Sequence, residues 1–248
     1  MENQIIVSVI MPAYNAEKYI AQAIESVLRQ NVGLELFIID DCSTDHTAEI
    51  AEKYLDCGRV VLLRNERNLG VAESRNIGIR RASGKYVAFL DADDWWEETK
   101  LEKQCSMLAE TGCVLCCTGR ELMNLDGSSL HKVIGVSEEI TYAMLLRTNS
   151  ISCSSVVMET AVAREFYMCH DELHEDYILW LNVLQKYGKA YGINEPLLKS
   201  RMSKGGKSRN KLKSAKMQFG VYRYMGFGFF KSCYYFLMYA FHGVLKYM

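Results

Sequence analysis

The stretch Ile5-Ile6-Val7-Ser8-Val9-Ile10-Met11 is an apolar, largely β-branched run that stops at Pro12. Such a run is typical of a strand buried on both faces of a parallel sheet. Apolar runs then alternate with segments of helical spacing, which predicts strands at 34–39, 60–63 and 86–90 and helices at 16–30, 43–54 and 71–82. Asn15 is the expected N-cap of the first helix. The alternation predicts an α/β fold with a doubly wound, mainly parallel sheet sandwiched by helices.

Polar clusters follow three of the predicted strands. They are Pro12-Ala13-Tyr14, Asp40-Asp41 and Asp91-Ala92-Asp93. Ligands of doubly wound sheets bind beyond the carboxyl ends of the strands, so we expect these clusters to converge on one crevice.

The second half of the chain has a less regular pattern. It predicts strands at 113–118 and 154–158 and helices at 141–147 and 175–187. Nine cysteines, an odd and scattered set, indicate reduced thiols rather than a disulfide framework. The start Met-Glu-Asn-Gln shows no secretory signal, so we expect a cytoplasmic protein.

Asp91, Asp93 and Asp94 place three carboxylates at one strand end. Without a counter-charge they would repel one another and raise each other's pKa. A hard divalent cation, Mn²⁺ or Mg²⁺, removes that conflict, and such an ion also binds substrate phosphates. The alternative is that these acids only cap the following helix, whose dipole favours them.

These segments together resemble the family 2 glycosyltransferases, which have the GT-A fold, a Rossmann-like sheet. The matching residues, in the family's order and spacing over about the first hundred positions, are 7–15, 39–45, Asn68-Leu69-Gly70, Ser74-Arg75-Asn76, Gly78 and 89–94. The resemblance implies an inverting glycosyltransferase of bacterial surface-polysaccharide synthesis. It also implies three parts of the chain: a donor half at 1–100, an acceptor half at 101–210 and a tail at 211–248.

The resemblance assigns roles to residues of the donor half. Tyr14 would stack on the nucleobase, Asp41 would accept a hydrogen bond from uracil, Arg75 would contact the donor phosphates or sugar, and Asp93 would bind the metal. The full set expected to bind the nucleotide sugar is Pro12, Ala13, Tyr14, Asp40, Asp41, Asn68, Gly70, Arg75, Asp91, Ala92, Arg201 and Ser203, with Asp91 also a possible metal ligand. Alternatively, Tyr14 only packs and Arg75 only neutralises the acids.

Glu175-Asp176 opens a predicted helix and resembles the family's E-D motif, in which a carboxylate is the general base. We assign the base to Asp176, with Glu175 second. The alternative is that both acids only favour the helix dipole. His174 and Trp180 are candidate acceptor contacts.

The loop Arg201–Ser208 resembles the segment that closes over the diphosphate in this family. Arg201 and Ser203 are its candidate donor contacts. A merely solvated basic loop is the alternative.

The charge of the chain is strongly asymmetric. After Glu195 there are eleven lysines and arginines and no acidic residue. Residues 1–195 hold the other 18 lysines and arginines and all 30 acidic residues, which gives them a net charge of −12. The tail is also rich in aromatic residues, and its longest uncharged stretch, Ser232–Leu245, is shorter than the roughly 20 residues that cross a bilayer. An amphipathic helical tail lying on an anionic membrane is therefore expected, with the enzyme peripheral on the inner face of the cell membrane. Packing onto the domain, or a homodimer contact, are the alternatives.

We therefore predict transfer of a hexose or N-acetylhexosamine from a UDP-sugar to a glycan or lipid-linked acceptor, with no nucleic-acid partner. A nucleotidyltransferase is one rival, although Pro12-Ala13-Tyr14-Asn15 is not the Gly-rich, basic loop that such an enzyme would show. A membrane scaffold that binds nucleotide sugars without turnover is the other.

Overall fold

The computed structural model describes residues 5–202 and 211–247. The strands are Val7–Ala13 (β1), Leu34–Asp40 (β2), Val60–Arg64 (β3), Tyr86–Phe89 (β4), Trp95–Trp96 (β5), Leu115–Met123 (β6), Ser129–Ile134 (β7), Glu139–Thr141 (β8), Val157–Glu159 (β9) and Lys189–Arg201 (β10). The helices are Ile20–Leu28 (α1), Thr47–Glu52 (α2), Val71–Arg81 (α3), Lys100–Thr111 (α4), Tyr142–Arg147 (α5), Thr160–Phe166 (α6), Glu175–Tyr187 (α7), Lys211–Tyr224 (α8) and Phe229–Tyr247 (α9).

All ten strands form one sheet, in the order β3-β2-β1-β4-β9-β6-β10-β5, with β7 on β6 and β8 on β10. The pairs within β3-β2-β1-β4 are parallel, so the expected parallel α/β sheet is confirmed for the donor half. Beyond it the sheet is mixed, because β9 is antiparallel to both β4 and β6 while β10 is parallel to β6. The α/β fold class is confirmed.

Two apolar clusters cover the two faces of this sheet. Ile10 of β1 lies in the cluster that includes α3 and α7, whereas Val9 and Met11 lie in the cluster that includes α1. Alternation of side chains along a strand therefore buries successive residues on opposite faces. Burial of each such apolar side chain contributes about 1.5–3 kcal/mol, which explains why β1 carries apolar residues on both faces, with Ser8 as its polar exception.

The first helix begins later than its sequence pattern predicts. The N-cap of α1 is Tyr19, so the expectation that Asn15 caps this helix is wrong. Asn15 instead has a φ of +50°, and its Oδ1 accepts a hydrogen bond of 2.8 Å from the backbone N–H of Thr44. It thus joins the loops after β1 and β2.

The acceptor half contains several elements that periodicity does not predict: α4, α6, β7, β8 and β10. The strand β10 is interrupted by a register shift between Ile193 and Leu198, around Pro196. A proline lacks the N–H that a ladder needs, so a regular strand pattern is absent there.

The tail forms two helices, as expected. On its inner side α8 is anchored by Met217, Val221 and Tyr222, which are all buried. On the outer face of α9, Phe230, Tyr234 and Leu237 recur at helical spacing and are 86%, 53% and 68% exposed. Among the described residues, no helix has the length and apolar character needed to cross a membrane. The tail therefore packs on the domain and also presents an apolar stripe, defined here as Phe230, Tyr234 and Leu237.

Candidate active site

The carboxyl ends of β1 and β2 meet side by side. Ala13 is paired with Asp40, and the N–H of Asp41 donates to the carbonyl of Ala13 over 2.8 Å. Tyr14 follows directly and is 53% exposed, so its ring is available to a ligand. The register of β1 and β2 therefore brings together two of the three predicted polar clusters, Pro12-Ala13-Tyr14 and Asp40-Asp41.

The Asp41 carboxylate organises the loop that leads into α3. It accepts hydrogen bonds of 2.8, 2.8 and 2.9 Å from the Asn65 amide and the backbone N–H groups of Leu69 and Gly70. A carboxylate offers about four acceptor positions, so three are occupied and one is left for a nucleobase. Asp41 is therefore a loop-holding residue first, and its contact with uracil stays a prediction.

Asp40, Asn68 and Gly70 complete the same rim. Asp40 is buried and accepts from the N–H of Ser43, while the Asn68 amide donates to the carbonyl of Asp41. Gly70 has a φ of +87°, and a Cβ there would lie 2.3 Å from Asp171 Oδ2. The backbone angle favours glycine at this position, and any other residue would also have to displace the Asp171 carboxylate.

Arg75 joins the donor half to the acceptor half. Its guanidinium donates to Asp91 Oδ1 over 2.6 Å and to Glu175 Oε1 over 2.9 Å, and the residue is only 3% exposed. These two partners lie at the end of β4 and the start of α7. A buried arginine with both terminal nitrogens bound to carboxylates supports the neutralising role over a direct phosphate contact.

The turn Asp91–Asp94 presents acidic oxygens to the crevice. The Asp91 carboxylate is 39% exposed and Asp93 is half-buried. Burial, and next the charge of Asp91, raise the pKa of Asp93 to about 6. Within the described parts of the chain no three His, Cys, Asp or Glu residues form a group that could hold a metal ion. The carboxylate of Asp93, with that of Asp91 two positions before it, fits a hard cation that takes its remaining ligands from phosphate and water.

Asp94 does not cap the next helix, contrary to the alternative considered for it. The helix α4 begins at Lys100 with Thr99 as N-cap. Asp94 is buried and accepts a 2.8 Å hydrogen bond from the N–H of Arg201. Burial, followed by the charges of Asp93 and Asp91, raises its pKa well above the usual range.

Arg201 packs against the turn Asp91–Asp94 from inside the protein. It is 7% exposed, and its side-chain nitrogens donate to Asp93 O at 2.9 Å, Leu125 O at 2.8 Å and Gln22 Oε1 at 2.7 Å. The rings of Tyr19 and Trp95 enclose its guanidinium at 4.6 and 4.8 Å. These side-chain donors are used within the protein, so the expected contact of Arg201 with the donor has no support here and stays a prediction. Ser203 lies outside the described residues.

Glu175 and Asp176 stand in different environments. Glu175 is 6% exposed and ion-paired with Arg75. Asp176 is half-buried and makes no ion pair with any residue that the structure describes. Burial first, and then the charge of Glu175, raise the pKa of Asp176 to about 6. Such a carboxylate is suited to accept a proton near neutral pH.

The two candidate acceptor contacts differ in access. Trp180 is fully buried, with its ring centroid 6.2 Å from that of Phe89. The prediction that its side chain contacts an acceptor directly is therefore wrong. In the first turn of α7 only Asp176 is half-buried, whereas Tyr177 and Ile178 already belong to the core. His174 is half-buried, and its Nε2 lies 3.4 Å from Ser214 Oγ.

Ser154 is a site residue that the sequence does not reveal. Its Oγ accepts a hydrogen bond from the N–H of Asp91 over 3.1 Å. Its indole neighbour Trp96 donates from Nε1 to the Ser154 carbonyl over 2.7 Å. Since 63 residues separate Ser154 from Asp91, no local pattern could have indicated the contact.

Comparisons with known proteins agree on one family. Residues 8–164 match the model described as glycosyl transferase family 2. The chain is 39% identical over 244 residues to the putative teichuronic acid biosynthesis glycosyltransferase TuaG of Bacillus subtilis, covering 97% of each chain. It is 38% identical over 220 residues to the UDP-Glc:alpha-D-GlcNAc-diphosphoundecaprenol beta-1,3-glucosyltransferase WfgD of Escherichia coli, covering 87% of this chain and 85% of WfgD.

A solved structure supports the fold independently. S. aureus TarS 1–349 in complex with UDP-GlcNAc superposes with a TM-score of 0.72 at 21% identity. The match covers 88% of this chain and 65% of that one. At this identity the likeness concerns the fold.

Proposed function

Because this chain belongs to glycosyl transferase family 2, we propose that it transfers a hexose or N-acetylhexosamine from a UDP-sugar, with inversion, to a lipid-linked glycan acceptor. The family makes it a glycosyltransferase, and its similarity to TuaG and WfgD supports a place in cell-surface polysaccharide synthesis. WfgD is named for a UDP-glucose donor and a diphosphoundecaprenol-linked acceptor, which supports the same substrate classes here.

The Arg75 bridge is the observation that carries the proposal. One buried guanidinium binds Asp91 of the donor half and Glu175, the residue before Asp176. The donor carboxylates and the candidate base therefore belong to one electrostatic unit. A transferase needs this arrangement, because the base must act where the donor is held.

The donor would lie along the carboxyl ends of β1, β2 and β4. The exposed ring of Tyr14 would stack on the uracil. The other proposed donor contacts are Pro12, Ala13, Asp40, Asp41, Asn68, Gly70 and Ala92. Asp93, with Asp91, would hold Mn²⁺ or Mg²⁺. When bound, such an ion neutralises negative charge on the diphosphate of the leaving UDP.

Asp176 would act on the acceptor side. Its carboxylate takes the proton of the acceptor hydroxyl while that oxygen forms a bond to the anomeric carbon. The bond from this carbon to the diphosphate oxygen breaks, and UDP leaves with the electron pair. A pKa of about 6 leaves Asp176 mainly ionised at pH 7, and activity should fall as the pH drops below that value.

The apolar stripe would bring the enzyme to its acceptor. Phe230, Tyr234 and Leu237 face outward from α9, Lys231 stands beside them, and no acidic residue follows Glu195. Aromatic side chains flanked by lysines suit the interface of an anionic membrane, here the inner face. Co-sedimentation with phosphatidylglycerol vesicles should be lost in Phe230→Ser/Leu237→Ser and kept in Val133→Ser, a control on the exposed strand β7. Equal binding of both variants would contradict the anchor.

Donor binding tests the nucleotide and the metal. Calorimetry with UDP- and GDP-sugars, with and without Mn²⁺, should show metal-dependent binding of a UDP-sugar that Asp93→Ala abolishes. Tight binding of a GDP-sugar alone would exclude the uracil assignment. Binding without turnover of any acceptor or of water would instead favour a non-catalytic scaffold.

Transfer kinetics test the base. Asp176→Asn should retain donor binding and lose about 10²–10⁴-fold in turnover, the usual range for a general base. Asp56→Asn is the matched control, since it is the same Asp-to-Asn change at an exposed position before β3. Near-normal turnover of Asp176→Asn would remove the assignment.

A further inference from the structure

The segment 168–174, here called the base loop, leads directly into Glu175 and Asp176. Its first residue is fixed to α3 by a pair of hydrogen bonds: Asn76 Nδ2 donates to Met168 O over 2.7 Å, and Met168 N–H donates to Asn76 Oδ1 over 2.8 Å. Further along, Asp171 Oδ1 accepts from the N–H of Ala72 at 3.4 Å. The donor half therefore holds one side of the loop.

The opposite side of the base loop rests on α8 of the tail. The ring centroids of His170 and Tyr224 are 4.4 Å apart, and Cys169 Sγ lies 3.7 Å from the Tyr224 hydroxyl. Further along the loop, Leu173 packs against Gly220. The two residues are so close that a Cβ at position 220 would lie 2.6 Å from Leu173 Cδ2. Three successive parts of the loop thus contact one helix.

The helix α8 is itself fixed to the core, which makes it a rigid support. Val221 and Tyr222 are fully buried, and the Tyr222 hydroxyl donates to the Leu146 carbonyl over 2.8 Å. A movement of Leu173 away from α8 would therefore move the loop and not the helix. Packed side chains transmit such displacements because interiors have little free volume.

We propose that α8 is part of the catalytic apparatus: through the contact of Leu173 with Gly220 it sets the position of Asp176 relative to the donor. Leu173 and Gly220 are positioning residues, and the inference rests on the proposed role of Asp176 as base. The tail thereby has two functions on its two sides, support of the base on the inner side and the apolar stripe on the outer side. Displacement of a reacting group by about 1 Å can cost 10²-fold in rate, so this support matters for turnover.

The substitution Gly220→Ala in the full-length protein tests the contact directly. The added methyl group displaces Leu173, and turnover of the UDP-sugar should fall about 10- to 100-fold while the KM for donor stays within twofold. Gly228→Ala is the matched control, because position 228 in the same tail has open space around a Cβ. The double variant Gly220→Ala/Leu173→Val moves one methylene from loop to helix at nearly constant volume and should recover most of the turnover.

Amide exchange provides a readout that does not depend on activity. Exchange in residues 168–176 should speed up in Gly220→Ala and stay unchanged in Gly228→Ala. Normal turnover and normal exchange in Gly220→Ala would overturn the positioning role, as would a loss that Leu173→Val fails to recover. If Asp176→Asn is fully active, the proposed base is wrong. If only Gly220→Ala is fully active, the proposed function stands and this inference fails.

Discussion

The donor side and the acceptor side of the crevice are built in different ways. On the donor side, the Asp41 carboxylate is held by groups at positions 65, 69 and 70, all within 30 residues along the chain. On the acceptor side, Asp176 follows a loop held by Asn76 from one direction and by Gly220 from the other. The proposed donor site is therefore preformed by near neighbours in a parallel sheet, whereas the position of the proposed base depends on the docking of distant elements.

We therefore expect substitutions in the two halves to act in different ways. A change in the donor half acts on a rigid loop next to the substrate. A change in the tail acts on the base through packing, while the nucleotide site stays intact. The bridge of Arg75 between Asp91 and Glu175 is the point where the two halves depend on each other.

Removal of the bridge should have the largest effect. Arg75→Met leaves the buried Glu175 carboxylate, and Asp91 near it, without their counter-charge, and should lower the free energy of unfolding by about 3 kcal/mol. Transfer should be lost as well. Arg80→Met is the control on the same helix, since its ion pair with Glu73 is exposed and contributes about 1 kcal/mol or less. Equal urea midpoints for the two variants would show that the halves are not coupled through Arg75.

A smaller effect is expected at Lys100, the first residue of α4. This fully buried lysine donates to Gln104, lies 3.9 Å from the Trp96 ring centroid and has no carboxylate partner among the described residues. Burial lowers the pKa of Lys100 from 10.5 to about 7, so the unfolded state binds more protons between these values. The stability of the wild type should therefore rise with pH from 7 to 10 relative to Lys100→Met.

Thermal or urea unfolding of Lys100→Met at pH 6 and pH 9 measures this. The unfolding free energy of Lys100→Met minus that of the wild type should be larger at pH 6 than at pH 9, by about 2 kcal/mol. This follows from a limiting slope of about 1.4 kcal/mol per pH unit. Lys103→Met is the control, because Lys103 is an exposed partner of Glu195. A gain that does not change with pH would show that Lys100 does not titrate in this range.

The smallest effect is expected at the rim of the nucleotide site. Cys42 has a φ of +64°, a left-handed conformation that costs a residue with a Cβ about 1–2 kcal/mol. Cys42→Gly should relieve that strain and raise the free energy of unfolding by about 0.5–1 kcal/mol, after the added entropy of the unfolded chain is subtracted. Cys57→Gly, at an exposed position without a positive φ, should lower it. Destabilisation by both changes would argue against strain at Cys42.

Sequence reasoning recovered the parallel half of the fold and the family, because β-branched runs and strand-end acids are local patterns. It also predicted α7 with its bounds at 175–187. It missed β10, since the interruption around Pro196 removes the strand periodicity. It placed Trp180 on the substrate side, because residue type and spacing do not indicate whether a side chain points to the crevice or the core.

The sequence by itself determined that Tyr14, Asp41 and Asp91 converge. In a parallel sheet the carboxyl ends of the strands share one edge, so chain order is sufficient. Only the tertiary structure decided that Arg75 pairs with Glu175, while Asp176 makes no ion pair among the described residues. It also decided that the tail supports the base loop from its inner side. The physical reason is that burial, charge pairing and close packing join residues such as Arg75 and Glu175, 100 positions apart, and no local pattern encodes those contacts.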